Sequence, residues 1–164
     1  MSDPIRSAYA AALAMLSRRE LSEAQLRDRL AKKEHEADAI DAAIARLRAA
    51  GVVDDRRVAL ATARTEAAVR SRGRARVLLK LRAIGIPPDI ADAATDEVLG
   101  SLDETAVITR AIERRLRPAG ATIRDAAHFR RLLQQLIRQG FSPSLAISAL
   151  KARAKRDAVP DDSE

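Results

Sequence analysis

Few side chains in this 164-residue chain could do chemistry, and they do not converge. The two histidines, His35 and His128, lie far apart, and neither has another metal-ligating residue at ligand spacing. Both are expected at the surface or in helix packing. Asp54 and Asp55 are adjacent carboxylates of the kind that can share a metal. At a helix start, however, the same pair serves as a cap and as a charge favoured by the helix dipole, and that role is expected here. Arg72-Gly73-Arg74 is too short to be a phosphate-cradling glycine loop. There is no cysteine, which excludes disulfides and thiolate metal sites and is compatible with a reducing compartment. No nucleophile can be matched to a base. The expectation is a protein without catalytic, cofactor-binding or metal-binding residues.

What the chain has in quantity is positive charge. Its net charge is +7, and this is unevenly placed. Up to Asp54 the basic and acidic residues balance, whereas the segments 55–102 and 103–164 carry +3 and +4. The densest run is Arg64, Arg70, Arg72, Arg74, Arg76, Lys80 and Arg82, opposed within that stretch by Glu66 alone. Such a run suits a polyanion, because counterions released from phosphate favour binding. It also suits an acidic protein surface, since guanidinium forks pair well with carboxylates. A plain solvated helix face is the third explanation. Aromatic residues are scarce, and Tyr9, Phe129 and Phe141 fit packing positions, which argues against recognition of single strands by base stacking.

The elements that must carry these charges are helices. Apolar residues recur at helical spacing, as in Leu26 and Leu30, Ile40 with Ile44 and Leu47, and Ile108 with Ile112 and Leu116. No segment alternates with period two, so no strand is expected. The segment from Ala8 to Leu16 is expected to be a buried first helix rather than a secretion signal, and no stretch is apolar enough to span a membrane. Ser22 and Gln25 form a capping-box pair flanked by Leu21 and Leu26 at staple spacing, and Ser142-Pro143 marks another helix start. Gly51, Gly85, Gly100, Gly120 and Gly140 are each placed to end a helix in the left-handed conformation. The spacing predicts helices near 5–18, 23–33, 37–50, 55–71, 74–84, 88–99, 102–116, 123–139 and 143–156.

The chain also repeats itself. At an offset of 55, Leu81 meets Leu136, Gly85 meets Gly140, Ile86 meets Phe141, and Pro88 meets Pro143. At 51, Leu26 meets Val77 and Leu30 meets Leu81. Repeats of this length imply similar helical units stacked in a row, presenting a surface rather than enclosing a pocket. The expected fold is all-α, with three tandem three-helix repeats at 1–54, 55–101 and 102–156 and a disordered acidic tail at 157–164.

Four segments in this order resemble the RecX family of regulatory proteins. Ser22-Glu23-Ala24-Gln25-Leu26, continuing to Leu30, is similar to the family's Ser-x-x-Glu-Leu-x-x-x-Leu. Gly51-Val52-Val53-Asp54-Asp55 followed by Val58-Ala59 resembles its hydrophobic-Asp-Asp join between the first two repeats. Arg72-Gly73 and Leu81 to Ile86 follow in the second repeat, and Arg138-Gln139-Gly140-Phe141-Ser142 resembles the Arg-x-Gly-Phe-Ser element of the third. The likeness runs over about 8–155. Glu34-His35 departs from a Lys-Gly helix end, and Val58 stands where an aromatic residue is frequent.

The resemblance implies an elongated, curved protein that binds the recombinase RecA and its DNA filament. It would inhibit ATP hydrolysis, strand exchange and repressor self-cleavage, by lying in the filament groove or capping its end. A cytoplasmic monomer is expected, with single- or double-stranded DNA touched through phosphates and no membrane partner. The RecA- or DNA-binding candidates are Arg70, Arg72, Arg74, Arg76, Lys80, Arg82, Arg130, Arg131, Lys151, Arg153 and Lys155, with Asp54 and Asp55 at the join between repeats. The alternative is a standalone helical DNA-binding protein, either architectural or a transcriptional regulator.

Overall fold

In the computed structural model, residues 3–117 and 122–158 are described. Their secondary structure is helical throughout, with no strand. The helices are α1 (Asp3–Leu16), α2 (Glu23–Ala31), α3 (Ala37–Ala49), α4 (Asp55–Arg64), α5 (Arg74–Ala83), α6 (Pro88–Gly100), α7 (Glu104–Leu116), α8 (Ala126–Arg138) and α9 (Pro143–Ala158). The helix expected to run to residue 71 ends differently. Beyond α4 it widens into one π-helical turn, Thr65–Val69, closed by Arg70 N donating to Thr65 O at 3.1 Å. Ser71 then takes a left-handed φ of 52° and turns the chain into Gly73.

Helix starts follow the side-chain chemistry of the sequence. Ser22 and Gln25 make both bonds of the capping box, and Leu21 and Leu26 are buried on either side. Asp54 accepts from Arg57 N at 3.0 Å, Asp125 from His128 N at 2.7 Å, and Ser142 from Leu145 N at 3.3 Å.

The ends of α2, α5 and α8 are one structure made three times. Leu30, Leu81 and Leu136 are fully buried, and their carbonyls accept from the amides of His35, Ile86 and Phe141 at 3.3, 3.1 and 3.2 Å. The left-handed residue between them is Glu34, Gly85 or Gly140, with φ of 63°, 75° and 92°. This is the Schellman arrangement. It bears out the two offsets read from the sequence, the fainter one included. Gly51 ends α3 in the same way. Gly100 does not: it is the last residue of α6 and has no positive φ, because Ser101 N and Leu102 N continue helical bonds to Glu97 O and Leu99 O. Gly120 lies outside the described residues. At the other end, α9 extends through Asp157 and Ala158, which had been expected in the tail. Asp157 pairs with Arg153 one turn earlier and accepts from Ile123 N at 3.0 Å. Residues 159–164 lie outside the described set.

The described residues divide into two compact units, one of residues up to 62 with 80–94, the other of 63–79 with 95 onward. Helices expected as the second repeat are thus shared, with the divisions falling inside α4, α5 and α6. The first unit is centred on Ala12, Leu21, Leu26, Leu30, Ile40, Ile44, Leu47 and Val53, and a small alanine contact of Ala8, Ala39 and Ala43 lets α1 and α3 approach. The core of the second unit comes from α7, α8 and α9: Ile108, Ile112, Leu116, Leu132, Leu136 and Leu150 are almost wholly buried, with Phe141 against them. Each of these large side chains contributes about 1.5–3 kcal/mol when fully buried.

Candidate functional site

In the second unit the start of α5 docks on the end of α8. Four amides at the start of a helix and four carbonyls at its end lack partners within the helix. Here the two ends serve each other: Gly73 N donates to Gln139 O at 2.9 Å and Ala75 N to Gly140 O at 3.2 Å. Only glycines allow this approach. A methyl group built on Gly73 would overlap the Gly140 carbonyl, and one on Gly140 would overlap the Arg76 amide nitrogen. Two glycines that belonged to separate motifs in the sequence are therefore one contact.

The first unit contains the same junction. Ser22 and Ile84 are the counterparts of Gly73 and Gln139 at the offsets of 51 and 55. There the Ser22 hydroxyl donates to Ile84 O, and a methyl on Gly85 would overlap the side chain of Ala24. Asp55 stands beside it and accepts from Glu23 N at 2.9 Å, joining the starts of α2 and α4. Its carboxyl is held above the usual aspartate range by burial, with a contrary effect from the Glu23 bond and further upward pushes from the charges of Glu23 and Asp54.

Around the second junction lies a cavity of about 850 Å³. Arg72 and Arg76 reach it from the start of α5, Arg114 and Arg115 from the end of α7, and Arg124 from the segment before α8. Along α8, His128, Arg131, Leu132, Gln135, Arg138 and Gln139 recur at helical spacing and complete the wall. Among the described residues, seven guanidinium groups and no carboxylate line this space. None of the seven forms an ion pair among the described residues. Arg115 is held instead by neutral groups: its Nε donates to Gln135 Oε1 at 2.9 Å and a terminal nitrogen to Ala111 O at 3.3 Å. Arg114 donates to Val69 O at 3.0 Å. Burial first, then the charges of Arg72 and Arg138, lower the pKa of Arg115 from the ordinary arginine value. Asp125, outside the lining, is engaged as the α8 cap. The His128 amide bond, foremost, holds its carboxyl below the usual range, and Arg131 adds to the effect.

The expected contact residues fall into distinct situations. Arg72, Arg76 and Arg131 line the cavity. Arg70 pairs with buried Glu66 at 2.8 Å, Arg74 pairs with Asp96, and half-buried Arg153 bridges Glu113 at 2.8 Å and Asp157. Lys80, Arg82, Arg130, Lys151 and Lys155 are exposed and do not line the cavity. The sequence reading missed Arg114, Arg115, Arg124, Arg138, His128 and the two glutamines. The signal for the α8 members was present: 128, 131, 135 and 138 share one helix face. Nothing in the order of residues joins that face to Arg72. Among the described residues no cluster of three or more histidines and carboxylates could hold a metal, and no helix is long and apolar enough to cross a membrane.

Known proteins resemble the chain along most of its length. A regulatory protein RecX of Syntrophotalea carbinolica is 33% identical over 143 residues, which is 87% of this chain and 93% of the relative. The RecX of Mycobacterium ulcerans is 32% identical over 95% of this chain and 92% of its own. The chain belongs to the RecX family. The model of the first three-helix domain of RecX matches residues 8–47, spanning most of α1, then α2 and most of α3. A crystal structure of RecX from Lactobacillus salivarius has the same fold, with a TM-score of 0.78 at 22% identity over 93% of this chain and 97% of that one. Against the RecX of Geobacillus kaustophilus, 31% identical over 92% of this chain, the match spans only 55% of the relative. The chain thus spans about half the length of the Geobacillus RecX proteins. These relatives are named as regulatory proteins, in keeping with a surface rich in charge.

Proposed function

We propose that this protein regulates RecA by binding RecA and its filament on DNA, opposing ATP hydrolysis, strand exchange and coprotease action by groove binding or end capping. The observation that carries this reading beyond family membership is the cavity that seven arginines, and no carboxylate among the described residues, line. Arginines that form no ion pair among the described residues are available to phosphate or to an acidic surface, whereas the paired Arg70, Arg74 and Arg153 are already occupied. In this reading the three repeats at 1–54, 55–101 and 102–156 act as modules in the cytoplasm, and the protein works as a monomer. Binding shifts a filament only through different affinity for its states, so ATP chemistry stays with RecA.

The test is RecA ATPase on single-stranded DNA, titrated with this protein across salt concentrations. Inhibition is expected below one regulator per RecA, with tighter binding to filament than to bare DNA. The double reversal Arg72→Glu/Arg76→Glu should weaken inhibition and leave helix content unchanged by circular dichroism. Equal affinity for bare DNA and filament, with ATPase untouched at saturation, would instead support a DNA-binding protein independent of RecA.

A further inference from the structure

The second-unit cavity has a more definite character than a basic surface. Its arginines converge from α5, α7, α8 and the segment before α8, and its volume falls within the range of small-molecule sites. Two of its polar groups have buried, unpartnered atoms: Arg72 Nε, a donor, and Oε1 of Gln139, a side chain 9% exposed. A buried donor such as Arg72 Nε is satisfied when an acceptor, water or ligand, reaches it. The acceptors that seven guanidinium forks select are oxyanions, and phosphate oxygens fit the fork in pairs. Among the described residues no phenylalanine, tyrosine or tryptophan lines the space, so a base would find no stacking partner there beyond the His128 ring.

We infer that this cavity is a receptor for closely spaced phosphate oxyanions, held by charge and fork geometry without recognition of a base. The oxyanions can arrive as a free oligophosphate chain, such as that of a nucleoside triphosphate, or along the backbone of a single strand. The inference does not rest on RecA, since every arm of its test uses the protein alone.

The test is calorimetric titration of the full chain with inorganic tripolyphosphate, ATP and GTP in low-salt buffer. One molecule should bind per chain, with the three ligands agreeing within about twofold because the base adds little. Arg131→Gln/Arg138→Gln should weaken binding roughly tenfold or more, as expected for lost bonds to a charged group. Arg76→Gln, on an exposed part of α5, should weaken it in the same direction and serves as a second probe if the double variant is poorly folded. Lys151→Gln/Lys155→Gln removes the same charge outside the cavity and should change affinity by less than about threefold. Oligothymidylate distinguishes the sources. If it releases tripolyphosphate and is itself weakened by Arg131→Gln/Arg138→Gln, the phosphates belong to a strand; if tripolyphosphate stays bound, they arrive free. No tripolyphosphate binding, or equal weakening by the arginine and lysine pairs, would overturn the inference.

Discussion

The two junctions share a backbone plan and differ in charge. In the first unit, α2 starts against the end of α5 through Ser22, Gly85 and Ala24, beside the carboxylates of Glu23, Asp54 and Asp55 together with Arg48 and Arg56. In the second, α5 starts against the end of α8 through Gly73 and Gly140, beside seven arginines. Repetition fixes how helix ends meet, because unpaired amides and carbonyls need partners whatever the side chains are. The side chains pointing away from the contact are then free to diverge. One junction is joined internally by Asp55, and the other gathers arginines around an open cavity.

The severest way to break the parallel is at the buried leucines. Leu81→Asp and Leu136→Asp should each cost several kcal/mol, since both side chains are fully buried and neither site offers a partner for a carboxylate. Equivalence requires both to lower Tm strongly in thermal circular dichroism, and an unaffected variant would break it.

The glycines sharpen the comparison. Gly140→Ala forces a methyl into the Arg76 backbone at a φ of 92° and should destabilise by about 3 kcal/mol or more. Gly85→Ala, at a φ of 75°, crowds only Ala24, so it should cost less, and adding Ala24→Gly should relieve the clash but not the backbone strain in denaturant unfolding. Recovery in the first unit is expected because a side chain can be deleted, whereas the Arg76 backbone cannot.

A smaller effect separates the junctions by pH. The raised pKa of Asp55 means that its contribution to stability is fully present below the unfolded aspartate value and is lost as pH rises through the folded one. Asp55→Asn keeps an oxygen to accept from Glu23 N and removes the charge. Its Tm should slightly exceed the parent's at neutral pH, and the difference should vanish in acid. A variant less stable at neutral pH would show the charge to be favourable.

The mildest prediction concerns the one helix end of the three that lacks glycine. Glu34 holds a φ of 63° on an exposed turn, a conformation that costs a residue with a Cβ about 1–2 kcal/mol. After the larger chain entropy of glycine, Glu34→Gly should stabilise by roughly 0.5–1 kcal/mol in denaturant titration. No gain would mean that the Glu34 side chain supplies something that the backbone comparison does not include.

Much of the fold was legible because its signals are local. Ser22 and Gln25 lie within one helical turn, Leu30 and Leu81 fall at one offset, and a left-handed end is written in Gly85 and Gly140. Where local signals compete, reading failed. Gly100 continues a helix because the bonds from Ser101 and Leu102 carry it on, and Asp157 remains helical because Arg153 and Ile123 hold it. The π-helical turn at Thr65–Val69 has no such signature in the sequence.

The sequence by itself determined that the chain is helical, repeated and basic, and where most helices begin and end, since these follow from side-chain period, cap chemistry and charge. Tertiary structure decided which positive charges find a distant partner among the described residues. Arg74 is answered by Asp96, 22 residues away, while Arg72 and Arg76, from the same run, meet Arg115, Arg131 and Arg138 across a cavity. Electrostatic pairing depends on distance through space, and the approach of Gly73 to Gly140 sets that distance.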